Sequence, residues 1–130
     1  MLLTLLLSAL AAPAAQADGV ILQAKVDPGA NCNDIWGYVA PNGDEYALVG
    51  TTSGLVVYNC VDPQAPYQTG FISGPSSLWR DVKAYGNYAY VVTEGGGGIQ
   101  IVDLNDPENP SLVKTWKQND FTNAHNIAVD

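Results

Sequence analysis

Apolar and polar positions alternate in short runs along most of this chain, and the runs recur. In its second half, residues 82–85, 88–93, 98–103 and 111–116 are each rich in Val, Ile and Tyr. Such side chains suit a pleated, half-buried surface, so each run predicts a β-strand. Turn formers separate them: Gly86-Asn87, the run from Gly95 to Gly98, and Asp106-Pro107-Glu108-Asn109-Pro110. Gly reaches positive φ without strain, whereas Pro fixes φ and cannot donate to a ladder. No stretch combines a 3.6-residue period with capping residues, so no helix is expected.

The whole set appears twice, over residues 34–73 and 81–116. Tyr46-Ala47-Leu48-Val49 matches Tyr88-Ala89-Tyr90-Val91, Gly54-Leu55-Val56-Val57 matches Gly98-Ile99-Gln100-Ile101, and the turn Asp62-Pro63 with Pro66 matches Asp106-Pro107 with Pro110. These matches are offset by 42 to 44 residues. A third copy begins at Asn126-Ile127-Ala128-Val129, which matches Asp81-Val82-Lys83-Ala84. Four strands per unit at a period in the forties is the signature of a β-propeller blade. An eight-stranded β-sandwich accounts for the strand number but not for the repeated DPxxP turn. The expected fold is all-β: two four-stranded antiparallel blades and the start of a third, an incomplete propeller within residues 18–130. A blade cannot bury both faces alone, so the chain is read as an N-terminal piece whose first partners are further C-terminal blades of its own.

The first 17 residues have a different pattern. Residues 1–10, MLLTLLLSAL, are apolar, and AAPAAQA follows with the small-x-small ending Ala15-Gln16-Ala17. That is the anatomy of a secretory signal peptide cleaved before Asp18, although no Lys or Arg precedes the apolar run. The run is short of the ~20 residues that span a bilayer, and no second long apolar stretch follows. The expected location is secreted or cell-surface, with no transmembrane helix after cleavage.

Charge narrows the partners. Thirteen acidic residues against five basic ones give a net charge of −8, which opposes nucleic-acid binding. In an oxidising compartment Cys32 and Cys60 have three fates: a mutual disulfide, two free thiols, or pairing with a cysteine beyond residue 130. Neither sits in a nucleophile motif, and the sequence has one His, so covalent catalysis by Cys is not expected.

The repeats lack the Gly-His and Trp-Asp marks of WD40 blades. They resemble the LVIVD repeat, whose signature strand here reads Ile99-Gln100-Ile101-Val102-Asp103, with the looser Leu55-Val56-Val57-Tyr58-Asn59 in the first copy. Over residues 31–130 the chain is similar to the N-terminal part of the choice-of-anchor B secreted proteins. The stretches that carry this likeness are Cys32-Asn33-Asp34-Ile35-Trp36-Gly37-Tyr38, Tyr46-Ala47-Leu48-Val49-Gly50, Ser77-Leu78-Trp79-Arg80-Asp81 and Ala124-His125-Asn126-Ile127. The resemblance implies an extracellular or surface-attached LVIVD-type propeller longer than this chain. It implies no particular activity.

Candidate chemistry lies just before each innermost strand, at Asn33-Asp34, Arg80-Asp81 and His125-Asn126. Loops entering inner strands converge near a propeller's axis, so Asp34, Trp79, Arg80, Asp81, His125 and Asn126 are the candidate ligand-binding residues. Asp34, Asp81 and His125 are the candidate ligands of a divalent metal ion, the one cofactor with any support. The competing role is structural, because Asp and Asn also cap turns by accepting backbone N–H groups. The acidic turn at Asp103, Asn105, Asp106 and Glu108 superficially resembles a calcium loop, but it lacks the sixth-position Gly and distal Glu of an EF-hand. Glu94 with Gly95 to Gly98 precedes a strand rather than a helix, which excludes a phosphate loop. Trp36 and Trp116 lie in predicted strands, whereas Trp79 adjoins the inner-strand entry and is the better platform for a sugar.

The leading expectation is a non-enzymatic surface propeller that binds an extracellular protein or glycan. The alternatives are a metal-assisted enzyme with its site on the axis, and a structural spacer.

Overall fold

The computed structural model describes residues 19–130, so the leader read at residues 1–17 lies outside the described residues. Eight strands form: β1 Cys32–Val39, β2 Glu45–Thr51, β3 Gly54–Asn59, β4 Tyr67–Ser73, β5 Arg80–Tyr85, β6 Tyr88–Thr93, β7 Ile99–Asp103 and β8 Ser111–Trp116. They make two antiparallel sheets in the spatial orders β1-β2-β3-β4 and β5-β6-β7-β8. This is the all-β arrangement of two blades, with no helix among the described residues. Strand β7 begins one residue later than expected because Gly98, with φ of 82°, still belongs to the turn. Residues 126–129 form no strand. They have no following strand to pair with among the described residues, so the third copy reaches only its first backbone contact.

Packing follows from strand pairing. Trp36, Leu48 and Val57 lie opposite one another across β1, β2 and β3, and opposed residues share a face. That face meets the second sheet, where Leu48, Leu55, Val57, Val82, Ala89 and Val102 are fully buried in one cluster. Burying each of these Leu and Val side chains contributes about 1.5–3 kcal/mol. Strand β1 lies against β5, so the two first strands adjoin, as inner strands of neighbouring blades do. The opposite face of the first sheet holds Val49, Val56 and Tyr58 but leaves Ile35 64% and Phe71 46% exposed.

The repeated turn is also a fastener between sheets. Asp62 Oδ1 accepts the Gln64 N–H at 2.9 Å, and Asp106 Oδ1 accepts the Glu108 N–H at 3.1 Å. The second turn reaches the first sheet. The Pro110 ring occupies the space where a side chain at Gly70 would stand. Glu108 Oε1 accepts the Tyr46 hydroxyl at 2.8 Å and the Asn59 amide at 2.7 Å. Its Oε2 accepts the Tyr67 hydroxyl at 3.0 Å. The acidic turn is therefore engaged by backbone, amide and phenol donors.

Cys32 and Cys60 are not bridged to each other in this structure. Cys32 pairs with Thr51 at the end of β2, whereas the Cys60 N–H bonds Glu45 O at the start of β2. The length of β2, roughly 20 Å at ~3.3 Å per residue, separates them. A disulfide needs Cα atoms less than ~7 Å apart. Both thiols are free.

Candidate functional site

The inner strands β1 and β5 start side by side, and the loops entering them meet there. Asn33, Asp34, Trp79, Arg80, Asp81, His125 and Asn126 line one cavity of about 160 Å³. Every candidate named from the sequence thus reaches the same place. Larger cavities lie along the N-terminal segment on the open face of the first sheet, one of them sharing Asn33 and Asp34 with the site, and at residues 117–122.

Each aspartate holds the following repeat. Asp34 Oδ2 accepts the Val82 N–H at 2.8 Å, and Asp81 Oδ2 accepts the Ile127 N–H at 2.7 Å. Val82 and Ile127 each follow the residue equivalent to the aspartate, so the bond recurs in register. Lys83 supplies the cation between them. Its Nζ bonds Asp81 Oδ1 and lies 3.7 Å from Asp34 Oδ2. It also sits 4.7 Å from the centre of the Trp36 ring, a cation–π distance. Burial alone would raise the Asp81 carboxyl. The Lys83 ammonium, Asp34 and the Ile127 N–H outweigh it and hold Asp81 below the usual carboxylate range.

The three metal candidates do not stand together as one ligand set in this geometry. A lysine ammonium stands between Asp34 and Asp81, and His125 bonds neither of them. His125 Nδ1 lies 2.7 Å from Glu94 Oε1, with its ring centre 5.5 Å from that of Trp79. Among the described residues, no three His, Cys, Asp or Glu side chains converge to hold a metal.

Arg80 is a strut in the cavity wall rather than a free cation. It is 3% exposed. Its Nε donates to Thr51 O at 2.8 Å and its Nη2 to Pro75 O at 2.7 Å. Burial lowers its guanidinium from the ordinary arginine value. Its Nη1 and the buried Gln100 Oε1 have no hydrogen-bond partner, and each lies 2.7 Å from the point where a side chain at Gly74 would begin.

Trp79 is presented outward from a pinned loop. Ser77 Oγ accepts the Trp79 N–H at 3.1 Å and donates to Trp79 O at 2.8 Å. Asn33 Nδ2 donates to Leu78 O at 3.1 Å. The indole remains 54% exposed. The cavity therefore combines an exposed aromatic edge with a polar floor, a pairing suited to a hydroxylated or amide-bearing group.

Sequence reasoning did not single out Lys83 and Glu94 as site residues. Lys83 had a readable signal: it stands two positions after Asp81, so both point to one face of β5. Glu94 follows Thr93, which pairs with Arg80. Trp36 is in β1 as expected but half-exposed beneath Lys83. Trp116 packs on Phe121, with ring centres 5.7 Å apart.

No helix among the described residues is long and apolar enough to cross a membrane. No curated protein and no solved structure matches the chain. Residues 78–117, which hold β5 to β8 with Trp79, Arg80, Asp81, Lys83 and Glu94, match the family model of the LVIVD repeat, and this sheet is therefore similar to the units of a repeat β-propeller-like family.

Proposed function

We propose that this chain is part of an exported, cell-surface propeller of LVIVD-type blades that binds an extracellular ligand, a protein or a glycan, at the inner-strand cavity. The observation that carries the reading is the convergence of Asn33, Asp34, Trp79, Arg80, Asp81, His125 and Asn126 on one polar cavity with the Trp79 indole at its rim. The leader-like residues 1–17 and the likeness to choice-of-anchor B proteins support export. They also support further blades that would wall the cavity on its open sides. The ligand is held without chemical conversion, since the carboxylates are engaged by Lys83 and backbone N–H groups.

A structural spacer is favoured by one observation: both aspartates accept a backbone N–H of the following repeat. The two readings part at Trp79 and Asn126, which stapling does not need. The test is a binding screen of the complete exported protein against extracellular proteins and glycans, repeated with Trp79→Ala and Asn126→Ala. Binding lost in these variants with an unchanged melting temperature supports the reading. No partner, or robust turnover of a substrate, overturns it.

A further inference from the structure

The rim of the inner-strand cavity joins an aromatic face to a carboxylate. Thr93, the last residue of β6, pairs with Arg80 at the start of β5, and the Glu94 N–H bonds Trp79 O at 3.3 Å. The turn that follows is fixed: Thr93 Oγ1 accepts the Gly95 N–H at 3.1 Å, and a Cβ at Gly95 would lie 2.4 Å from Ser76 O. Backbone bonds therefore hold Glu94 beside Trp79, and both side chains are left about half exposed.

The pair is particular to the second sheet. The offset that equates Asp34 with Asp81 places Cys32 at Trp79, and the offset that equates Tyr46 with Tyr88 places Thr52 at Glu94. The first copy thus has neither the ring nor the charge. The stapling aspartates recur in both copies, as a fastener of the repeat must. Trp79 and Glu94 occur together once, which marks a feature that the repeat does not need for its own folding.

Charge decides what the pair holds. The cations that line this region, Arg80 and Lys83, are already spent, Arg80 on Thr51 O and Pro75 O and Lys83 on the two aspartates. Among the described residues, the basic group that reaches Glu94 is His125, with Nδ1 2.7 Å from Oε1. Its ring centre also lies 5.5 Å from that of Trp79. The chain's own imidazole thus takes both parts of the rim, resting on the indole and bonding the carboxylate. A guanidinium does each of these more fully. It is attracted to an indole face within about 6 Å of the ring centre, and its fork of N–H donors engages a carboxylate in pairs. A sugar hydroxyl brings no charge to match Glu94. His125 lies in residues 122–127, which form no strand, and the Ile127 N–H is tied to Asp81. A rotamer change at His125 therefore frees the rim while the backbone stays tied.

We infer that Trp79 and Glu94 form a subsite for a guanidinium group, the arginine side chain of a protein partner, and that the His125 ring is its occupant in the unbound chain. This rests on the reading of the cavity as a binding site and names what its rim takes.

The test titrates the full chain with a blocked Gly-Gly-Arg-Gly-Gly peptide and, separately, with the same peptide carrying citrulline, which keeps the shape and loses the charge. The Trp79 indole N–H signal in nitrogen-correlated NMR spectra, assigned by its loss in Trp79→Phe, reports occupancy. The arginine peptide moves this signal and binds about tenfold more tightly than the citrulline peptide. Glu94→Gln brings the two peptides to parity. His125→Ala removes the internal competitor and tightens arginine binding by about two- to fivefold. Equal affinity for the two peptides in the wild type, or a Glu94→Gln variant that still prefers arginine, overturns the assignment. So does weaker arginine binding in His125→Ala, since the ring is then a partner and not an occupant. An indole signal that answers methyl glycosides and not arginine also overturns it, while leaving the cavity a binding site whose ligand is a glycan. Silence of the indole toward every probe, in a complete protein that also finds no partner, ends both readings.

Discussion

Asp34 Oδ2 accepts the backbone N–H of Val82 at 2.8 Å, joining the first inner strand to the second by one charge-assisted bond. Val82 is fully buried, so its N–H has no water to turn to. Asp34→Ala is expected to cost about 1–3 kcal/mol, the penalty of an unpaired buried donor. Asp34→Asn keeps an acceptor and should cost clearly less. Urea denaturation of the three proteins decides this, and equal midpoints for Ala and wild type would remove the bond from the stability of the fold.

Lys83 holds together two carboxylates that would otherwise repel. Lys83→Met keeps the stem over Trp36 and deletes the ammonium. It should destabilise the chain at neutral pH by about 1.5–3 kcal/mol, the scale of a hydrogen bond to a charged group. In the wild type the Asp81 carboxyl is depressed, so its contribution is present above its unfolded value of 3.8 and fades as pH falls through the folded one. In the variant, neighbouring carboxylates raise one of the pair, and protonation relieves the strain. The deficit of Lys83→Met should therefore shrink as pH is lowered from 7 toward about 4. A deficit that is constant across this range would show that the ammonium matters only by packing.

Glu108 gives an acid limb of a different origin. The Asn59 amide, helped by the Tyr46 and Tyr67 hydroxyls, outweighs burial and holds this carboxyl low. A depressed carboxyl contributes stability above its unfolded value of 4.5 and loses it as pH falls through the lower folded value. Glu108→Gln should be less stable than wild type at pH 6 by no more than about 1 kcal/mol, given solvent screening. The two should converge in the acid range below about 4.5. Thermal melts across this range would contradict the fastening role of Glu108 if the two curves ran parallel.

Fold class was legible because each strand carries its own signal. Tyr88–Thr93 and Ser111–Trp116 stand where the apolar runs put them, since Gly turns bound the first on both sides and the Pro-rich turn precedes the second. Residues 126–129 carry the same local signal and form no strand, because a strand is completed by its partner and not by its own side chains. The position of the site was legible from the repeat, which aligned Asp34, Asp81 and Asn126. The roles were not. The acceptor of the Val82 N–H lies 48 residues away, and backbone donors leave no trace in a sequence. Lys83 was hidden for a related reason: its counterpart in the first copy is Trp36, so the repeat suggested no charge at that place. Cys32 and Cys60 left three fates open in the sequence, and their separation by the length of β2 is a matter of strand register.

The stapling aspartates also bear on how the chain comes apart. Each links its own repeat to the start of the next, so stability passes from neighbour to neighbour along the chain, as in linear repeat arrays. Asp34 is held by a complete sheet, whereas Asp81 is held by Ile127 in a stretch without strand structure. The Asp81 bond therefore opens more readily than the Asp34 bond, whose donor lies in β5. The first sheet loses its aspartate's partner only after β5 has let go. In such an order the weakest link sets the time for which every earlier one endures.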